Sequence, residues 1–372
     1  MAEEKQLLDI LQIINTPGIG PVSFYNYVKI AGDVAGALHE VAKKKEICSR
    51  SFAEEQLALA KDKNISIIAY TDKEYPQNLL QLNDAPPVIY VAGNIELLNY
   101  PVAISIVGAR NASIAGRKIA SRIAYELTEN DVLIISGMAR GIDSSAHKGA
   151  LYAKNQKGPT IAVLGTGVDE IYPAENADLY YSILQNGTII SEFALGTKAQ
   201  MSNFPRRNRI ISALSSGTLV VEAGLNSGSL ITARLALEQG KEVFAVPGSP
   251  LENRAAGPNQ LIKEGAILTE NAQDILNVLS IQRNSLLKKQ KIASFTLDKV
   301  KNSVNIPKHE VSEPTPSQAV ELLQLISYEG VDIDELFRNS GLPQAEFFSE
   351  LVDLEFSGRI ERHPGNKVAR IK

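Results

Sequence analysis

The feature that most constrains this chain is a regular alternation of short branched-apolar runs with amphipathic stretches. Strands are expected at 102–107, 132–136, 160–164, 188–191, 218–223, 242–246 and 266–268. Helices are expected between most of them, at 113–129, 143–154, 177–186, 205–214 and 229–239. A strand that follows another through a helix runs parallel to it. The series therefore predicts an α/β fold with a mostly parallel sheet covered on both faces. In such sheets ligands sit outside the carboxyl ends of the strands.

Those ends share a composition. Val107 is followed by Gly108-Ala109-Arg110, Ser136 by Gly137-Met138-Ala139-Arg140-Gly141, and Leu164 by Gly165-Thr166-Gly167. Glu222 is followed by Ala223-Gly224, and Val246 by Pro247-Gly248. Glycine allows a tight turn or a close approach of backbone to ligand. One such turn says only that a strand meets a helix. Several on one edge, with Arg110, Arg140 and the cluster Arg206, Arg207 and Arg209 beside them, point to a groove for a phosphate-bearing ligand. Main-chain amides and guanidinium groups are expected to line it. The cluster belongs to Asn203-Phe-Pro-Arg-Arg-Asn-Arg-Ile-Ile-Ser212, where Pro205 suits the first position of a helix.

The dinucleotide fingerprint is absent, because Arg110 stands where its second glycine belongs, and Glu170 replaces the third in the loop after Leu164. No Gly-x4-Gly-Lys-Ser/Thr loop exists either, which argues against an ATPase motor. An arginine on the first loop blocks a pyrophosphate but can grip a strand's backbone phosphate from the side. Phe204, next to the arginines, offers a ring to a base. Stacking plus backbone charge is the chemistry of single-strand binding.

The 372 residues suffice for two or three domains. A net charge of −4 argues against coating nucleic acid with the whole surface but allows a local basic cleft. The single cysteine, Cys48, leaves no internal disulfide and no thiolate zinc cluster. No metal or cofactor is expected. The N-terminus lacks a basic region with an apolar core, and no apolar run approaches the ~20 residues of a membrane span. A cytoplasmic address is expected.

Residues 1–64 read as a helical domain. Leu7–Ile14 and Val22–Ala31 flank Gly18-Ile19-Gly20 in the pattern of a helix-hairpin-helix, whose turn either offers amides to a phosphate or simply packs. Lys43-Lys44-Lys45 reads as a solvated helix end. The α/β domain is expected over 65–281, with further strands at 65–70 and 88–92, and a polar linker over 282–316. In 317–372, helices at 317–328, 332–340 and 344–357 precede a hairpin turning at 364–366. Three helices and a hairpin make a winged helix. From 317 to 358 nine acidic residues face one basic residue, Arg338, so phosphates would repel its helices. An auxiliary or protein-contact role is expected there.

Taken in order, Ser105-Ile-Val-Gly-Ala-Arg110, Ser136-Gly-Met-Ala-Arg-Gly-Ile-Asp143 with Ala146-His147, Leu164-Gly-Thr-Gly-Val-Asp169 with Tyr172-Pro173, the Asn203–Ser212 block, Glu222-Ala-Gly224, Ser227-Gly-Ser-Leu-Ile-Thr-Ala233 and Val246-Pro-Gly248 resemble the DNA-processing protein A (DprA/Smf) family. The resemblance implies an extended Rossmann-like, doubly wound domain that binds single-stranded DNA, a SAM-like or helix-hairpin-helix domain before it, and a winged helix after it. It also implies protection of the incoming strand, delivery of the RecA recombinase to that strand during natural transformation, and a homodimer through the Rossmann-like domain. Carried over by position, Arg110 grips phosphate and Phe204 contacts a base. Some members have a lysine where this chain has Met201; Lys198, or Arg206 and Arg207, are candidates to supply that charge. The expected binding set is Gly108, Ala109, Arg110, Gly137, Arg140, Gly141, Lys198, Phe204, Arg206, Arg207, Asn208 and Arg209.

A second reading is enzymatic. Asp143 and His147 are four apart, hence on one helix face, and Glu222 ends a strand. Gly217-Thr-Leu-Val-Val-Glu222 resembles the Gly-Thr-x-x-Glu signature of nucleoside-monophosphate phosphoribohydrolases. These residues would serve as acid and base in a nucleotide N-glycosidase. Against it stands the bland alternative that Asp143 caps its helix while His147 packs, and the binding reading is preferred.

Overall fold

The computed structural model describes residues 2–153, 160–280, 322–328, 330–342, 344–363 and 367–371. The expected linker at 282–316 and the hairpin turn at 364–366 lie outside the described residues, as do residues 317–321 of the first expected C-terminal helix. The chain divides into two compact units, Met1–Gln290 and Lys291–Lys372.

The first unit opens with four helices: α1 (Ala2–Ile14), α2 (Pro21–Ala31), α3 (Val34–Ala42) and α4 (Arg50–Asp62). Asp33 and Ser49 start α3 and α4 by accepting from Gly36 N and Phe52 N, the N-cap chemistry that satisfies first-turn amides. A nine-stranded sheet follows. Its strands are β1 (Ser66–Ala69), β2 (Val88–Gly93), β3 (Ala103–Val107), β4 (Leu133–Ser136), β5 (Thr160–Val163), β6 (Thr188–Ser191), β7 (Gly217–Val220), β8 (Glu242–Ala245) and β9 (Ile267–Leu268), in the order β1-β2-β6-β5-β4-β3-β7-β8-β9. β3 to β9 run parallel to one another, and β1 and β2 add an antiparallel edge beside β6.

Helices α5 (Ile114–Glu129), α6 (Ile142–Leu151), α7 (Ala177–Asn186), α8 (Asn203–Leu214), α9 (Gly228–Glu238) and α10 (Ala256–Lys263) connect the strands. The period of two along each strand decides which face a residue serves. On β3, β4 and β7, Ile104, Ile106, Ile134 and Leu219 pack with α5 and α6. Val107, Leu133, Ile135 and Val220 point the other way, to α8 and α9. Tyr90, Ala162 and Ile189 meet α1–α4 and α7. The N-terminal helices thus share a core with the sheet.

One helix start and two whole helices depart from the sequence reading. α8 begins at Asn203, which makes Pro205 its third residue rather than its first. Its missing N–H still falls among the first-turn donors that lack an intrahelical acceptor. α3 and α4 were not read as helices from the sequence, although each buries one face at i, i+3 and i+7: Val34, Ala37 and Val41 on α3, and Ala53, Gln56 and Ala60 on α4.

In the second unit, a helical turn at 322–325 and helices Ile333–Ser340 and Gln344–Phe356 pack around Leu336, Phe347 and Leu351. β10 (Val331–Asp332), β11 (Ile360–His363) and β12 (Lys367–Arg370) form a sheet in the order β10-β12-β11. This is a winged-helix arrangement.

α5 and α6 follow the first two carboxyl-edge loops, so their contact sets where those loops stand. It is closest at Gly149, where a Cβ would collide with the backbone oxygen of Ser121. Gly149→Ala is expected to cost about 2–3 kcal/mol, lowering the melting temperature by about 5–10 °C, which calorimetry would measure.

Candidate nucleic-acid interface

The chain runs out from β3 through β4, β5 and β6, then returns to place β7 on the other side of β3. The crevice between β3 and β7 is where a dinucleotide fold seats its pyrophosphate, on the N-terminus of the first helix. Here that place belongs to Glu222. Its carboxylate accepts from Ser113 N at 2.8 Å and from Ser113 Oγ at 2.5 Å. Ser113 in turn caps α5. A carboxylate at a helix N-terminus is favourable, and it closes this crevice to an anion.

The open recess lies one step along the edge, beyond β3, β4 and β5. Arg110, Gly137, Ala139, Arg140, Gly165, Thr166, Tyr172, Pro173, Phe204 and Arg207 line it. Arg110 is exposed and, among the described residues, forms no ion pair. Its guanidinium carbon stands 5.3 Å from the centre of the Phe204 ring. The Tyr172 ring is 5.3 Å from the same ring and tilted by 32°. Gly165 lets the phenyl ring close on the loop, since a Cβ there would lie 2.9 Å from Phe204 Cδ1. The edge therefore carries an exposed cation lying on an aromatic pair.

Arg207 forms the floor. It is buried and donates through Nη1 to the carbonyls of Gly137, at 2.7 Å, and Val163. Gly137 has no side chain because a Cβ would strike this guanidinium. Burial lowers the Arg207 pKa to about 10, with the charge of Asp143 acting in the opposite direction. Asp143, itself buried, accepts from Gly137 N at 3.1 Å. Burial raises its carboxyl above the usual range against the pull of Arg207. Both partners thus pin the β4–α6 loop. Gly141, with φ of +82°, completes that loop where a side chain would strike the Ala109 carbonyl.

The expected binding residues separate into groups. Arg110, Gly137, Arg140, Phe204 and Arg207 come together at the recess. Gly108, Ala109 and Gly141 stand behind it. Ala109 N donates to the Glu222 carbonyl at 2.7 Å, and Ile142 N to the Ala109 carbonyl at 3.3 Å. The amides of Ala109 and Gly137 are thus engaged internally, so the expected row of free amides is not what the loops present; the exposed cation is the side chain of Arg110. Arg140 pairs with Glu175 at 3.4 Å, both well exposed, and Lys198 with Glu170 at 2.6 Å.

The arginine triplet does not act as one cluster. Successive residues on a helix are about 100° apart, so Arg206 and Arg209 fall near one side and Arg207 on another. Arg206 and Arg209 share Glu192 Oε2 at 2.8 and 2.9 Å, and Arg209 also holds Asp84 at 2.7 Å. Arg209 is buried and structural. Asn208 donates to the Gly228 carbonyl at 3.3 Å. The aromatic partner Tyr172 was missed as a site residue, although the resemblance rested partly on it. Glu192 and Asp84 lie far from the triplet in sequence and carried no signal.

The acid–base set does not gather either. His147 is fully buried; Thr160 Oγ1 donates to the Ile134 carbonyl and so accepts from His147 Nδ1–H at 2.7 Å. Neither Asp143, His147 nor Glu222 lines the recess. Asp143 holds the loop before its helix and does not cap it; α6 starts at Ile142 with Gly141 at the N-cap. Among the described residues, no group of three or more His, Cys, Asp or Glu side chains could hold a metal, and no helix is long and apolar enough to cross a membrane.

Burial holds the His147 imidazole down at about 3, and the Arg207 charge adds to the depression. The unfolded chain takes up this proton near pH 6.5, whereas the folded chain does not. Stability is therefore expected to fall by about 1.4 kcal/mol per unit as pH drops from 6.5 towards 3. His147→Gln flattens that slope in urea titrations across the same range.

Residues 66–280 match the family model described as DNA recombination-mediator protein A, and residues 307–366 match the DprA winged helix domain. Protein Smf of Escherichia coli (strain K12) is 40% identical over 322 residues, which cover 86% of this chain and 81% of that protein. The X-ray structure of DNA processing protein A from Streptococcus pneumoniae superposes with a TM-score of 0.58 at 32% identity, covering 74% of this chain and 92% of that one. The Helicobacter pylori protein of the same name, whose structure concerns its single-stranded DNA binding mode, gives a TM-score of 0.53 at 32% identity, covering 59% and 96%.

Proposed function

This chain belongs to the DNA recombination-mediator protein A (DprA/Smf) family, and from that premise we propose that it binds single-stranded DNA along the carboxyl edge of its sheet. The observation that carries the reading is the exposed Arg110 guanidinium lying on Phe204 with no carboxylate partner. Arg110 meets a backbone phosphate, and the Phe204–Tyr172 pair offers ring faces to neighbouring bases. Arg207 contributes its charge from below and fixes the loop. Arg140 and Lys198, both exposed, exchange carboxylate partners for phosphates; pairs with so exposed a cation are worth little, so the exchange is cheap. Gly108, Ala109 and Gly141 shape the path, and Asn208 and Arg206 continue it along α8. The likeness to the Helicobacter pylori protein supports a single strand as the ligand.

The remaining roles follow the family. The bound strand is protected and handed to the RecA recombinase during DNA uptake and recombination, as the family's description as a recombination mediator suggests. A homodimer forms through the Rossmann-like domain, where Leu225, Ile231, Leu237 and Leu268 leave apolar surface exposed on and beside α9. Residues 1–64, 65–281 and 317–372 serve as helical, strand-binding and winged-helix domains joined by a linker at 282–316. The protein acts by binding, without a catalytic step.

The test is fluorescence anisotropy of labelled oligo-dT against a matched duplex, across salt. Wild type is expected to prefer the single strand with steep salt dependence, and Arg110→Ala to lose about tenfold or more in affinity and to lower the salt slope by about 0.7, one phosphate contact on a single strand. An unchanged slope and affinity would remove Arg110 from the interface. Deleting residues 316–372 is expected to leave oligo-dT affinity within about twofold: Arg359, Arg362, Lys367 and Arg370 in the hairpin could touch a backbone, but the acidic helices beside them repel phosphates; abolition of binding in the same titration would assign the strand to the winged helix.

A further inference from the structure

Two loops bring rings to the recess at Arg110. The loop after β5 carries Gly165, Thr166, Tyr172 and Pro173, and the loop after β6 carries Lys198 and runs into α8 and Phe204. Neither stretch, 165–173 or 192–202, is helix or strand. The loops are fastened to each other. Gly167 N donates to the Thr197 carbonyl at 2.9 Å, and Gly196 N donates to Asp169 Oδ1 at 2.9 Å. A Cβ on Gly167 would lie 2.7 Å from Asp169 Oδ1 and 2.8 Å from the Ala194 carbonyl oxygen, so the approach requires a glycine there.

Both loops are also fastened to α4, in the helical segment. Lys63, which caps the end of α4, donates through Nζ to Asp169 Oδ2 at 2.6 Å. Gln56, buried on the inner face of α4, accepts from Leu195 N through Oε1 at 2.8 Å. Leu195 itself is buried in the core that α1–α4 share with the sheet. One carboxylate thus holds a loop amide with one oxygen and the helical segment with the other. The Asp169 side chain is 7% exposed and that of Lys63 42%. Burial pushes the Asp169 carboxyl up, but the hydrogen bonds from Lys63 and Gly196 outweigh it and hold it below the usual carboxylate range. A carboxylate so placed is costly without its partners. Asp169 ends the Leu164–Asp169 run, and neither it, Gln56 nor Lys63 lines the recess.

We propose that Gln56 and Lys63 are positioning residues for strand binding, a reading that rests on the single strand lying at the Arg110 edge. They act through the Leu195 amide and Asp169. Tyr172 follows Asp169 on one loop, and Phe204 follows Gly196 on the other, so the two anchors set the ring pair whose centres are 5.3 Å apart. Arg110 rests on Phe204 in turn. A strand then meets rings that are already ordered and avoids the cost of ordering them. The helical segment serves the strand without touching it.

The test measures loop order and binding separately on the full chain. Hydrogen exchange reads the amides of Leu195 and Gly196, with Ala109, held on the same edge by the Glu222 carbonyl, as the reference. Lys63→Met is expected to speed exchange at Gly196, and Gln56→Met at Leu195, by about five- to tenfold with Ala109 unchanged. Each is expected to weaken oligo-dT binding about fivefold, the ordering cost of the two rings. The salt slope stays that of wild type, because no phosphate contact is lost. Lys63→Arg keeps the pair and is expected to restore exchange and affinity to within about twofold. Lys63→Met changes a half-exposed side chain, so it carries the test if Gln56→Met fails to fold. Unchanged affinity in the variants that fold overturns the proposal, whether or not exchange quickens. A salt slope lowered by about 0.7 in Lys63→Met overturns it too, since Lys63 would then meet a phosphate itself. Arg110→Ala in the same titration separates the two readings. If it weakens binding while the α4 variants do not, the edge stands and the anchors do not serve it; if it changes nothing, the edge reading has failed and this one with it.

Discussion

The burial of one guanidinium beneath two glycine loops is the constraint on which the site depends. Arg207 reaches from α8 to the carbonyls that close β4 and β5, and no side chain at position 137 is compatible with it. An arginine in this position is expensive to desolvate, and what offsets the cost is a set of main-chain acceptors and the nearby charge of Asp143. The result is a rigid, positively charged floor that does not move to meet a ligand. Over it, Phe204 is set by its place one turn earlier on the same helix, and Arg110 is set by Phe204. A cation fixed before binding avoids the ordering cost that a free surface lysine would carry.

The same economy explains why this fold, though wound like a dinucleotide binder, is not shaped for one. The helix N-terminus that would take a pyrophosphate holds the side chain of Glu222, and the first loop carries Arg110 in place of a small residue. Both changes leave the crevice occupied by a carboxylate and put the exposed cation on the outside of the edge. A polymer can lie along an outside edge; a mononucleotide has less to hold it there. The burial of His147 and the engagement of Asp143 and Glu222 in loop and cap contacts follow from this shift, since their work is to hold the loops that form the edge.

Much of the architecture was legible in the sequence because period and punctuation agree. Branched strands, amphipathic helices and glycine at most of the carboxyl ends marked the sheet and the side on which its candidate site lies. The recess residues Arg110, Gly137 and Phe204 were legible for the same reason, each being a type that its local role requires. The partners of Arg206 and Arg209 were not. Glu192 precedes them by an entire loop, and Asp84 sits in a proline-rich connector far upstream, so nothing local distinguishes a paired arginine from a free one. The engaged amides of Ala109 and Gly137 were hidden likewise, because an amide's acceptor is a matter of tertiary contact and not of residue type. Helices α3 and α4 carry a weak signal because the stripes they bury, Val34, Ala37 and Val41 and then Ala53, Gln56 and Ala60, are built mostly of small or polar residues.

The distribution of counter-charges has a consequence for how such an edge discriminates. Arg140, Lys198 and Arg206 each rest against a carboxylate, on Glu175, Glu170 and Glu192, whereas Arg110 has only rings beside it. A phosphate approaching Arg110 gains its full attraction at once, but one approaching the paired cations must first displace an internal anion. The net gain from those positions is therefore small for an isolated phosphate and accrues only when several are presented in register by a continuous backbone. In a protein of net charge −4, the proposed strand-binding edge would thereby disfavour scattered anions and stray duplex while leaving a flexible strand able to follow it. The bases then decide the rest: an unpaired strand can turn its ring faces to Phe204 and Tyr172 while its phosphates meet Arg110, and a duplex, with its bases stacked inside, cannot do both.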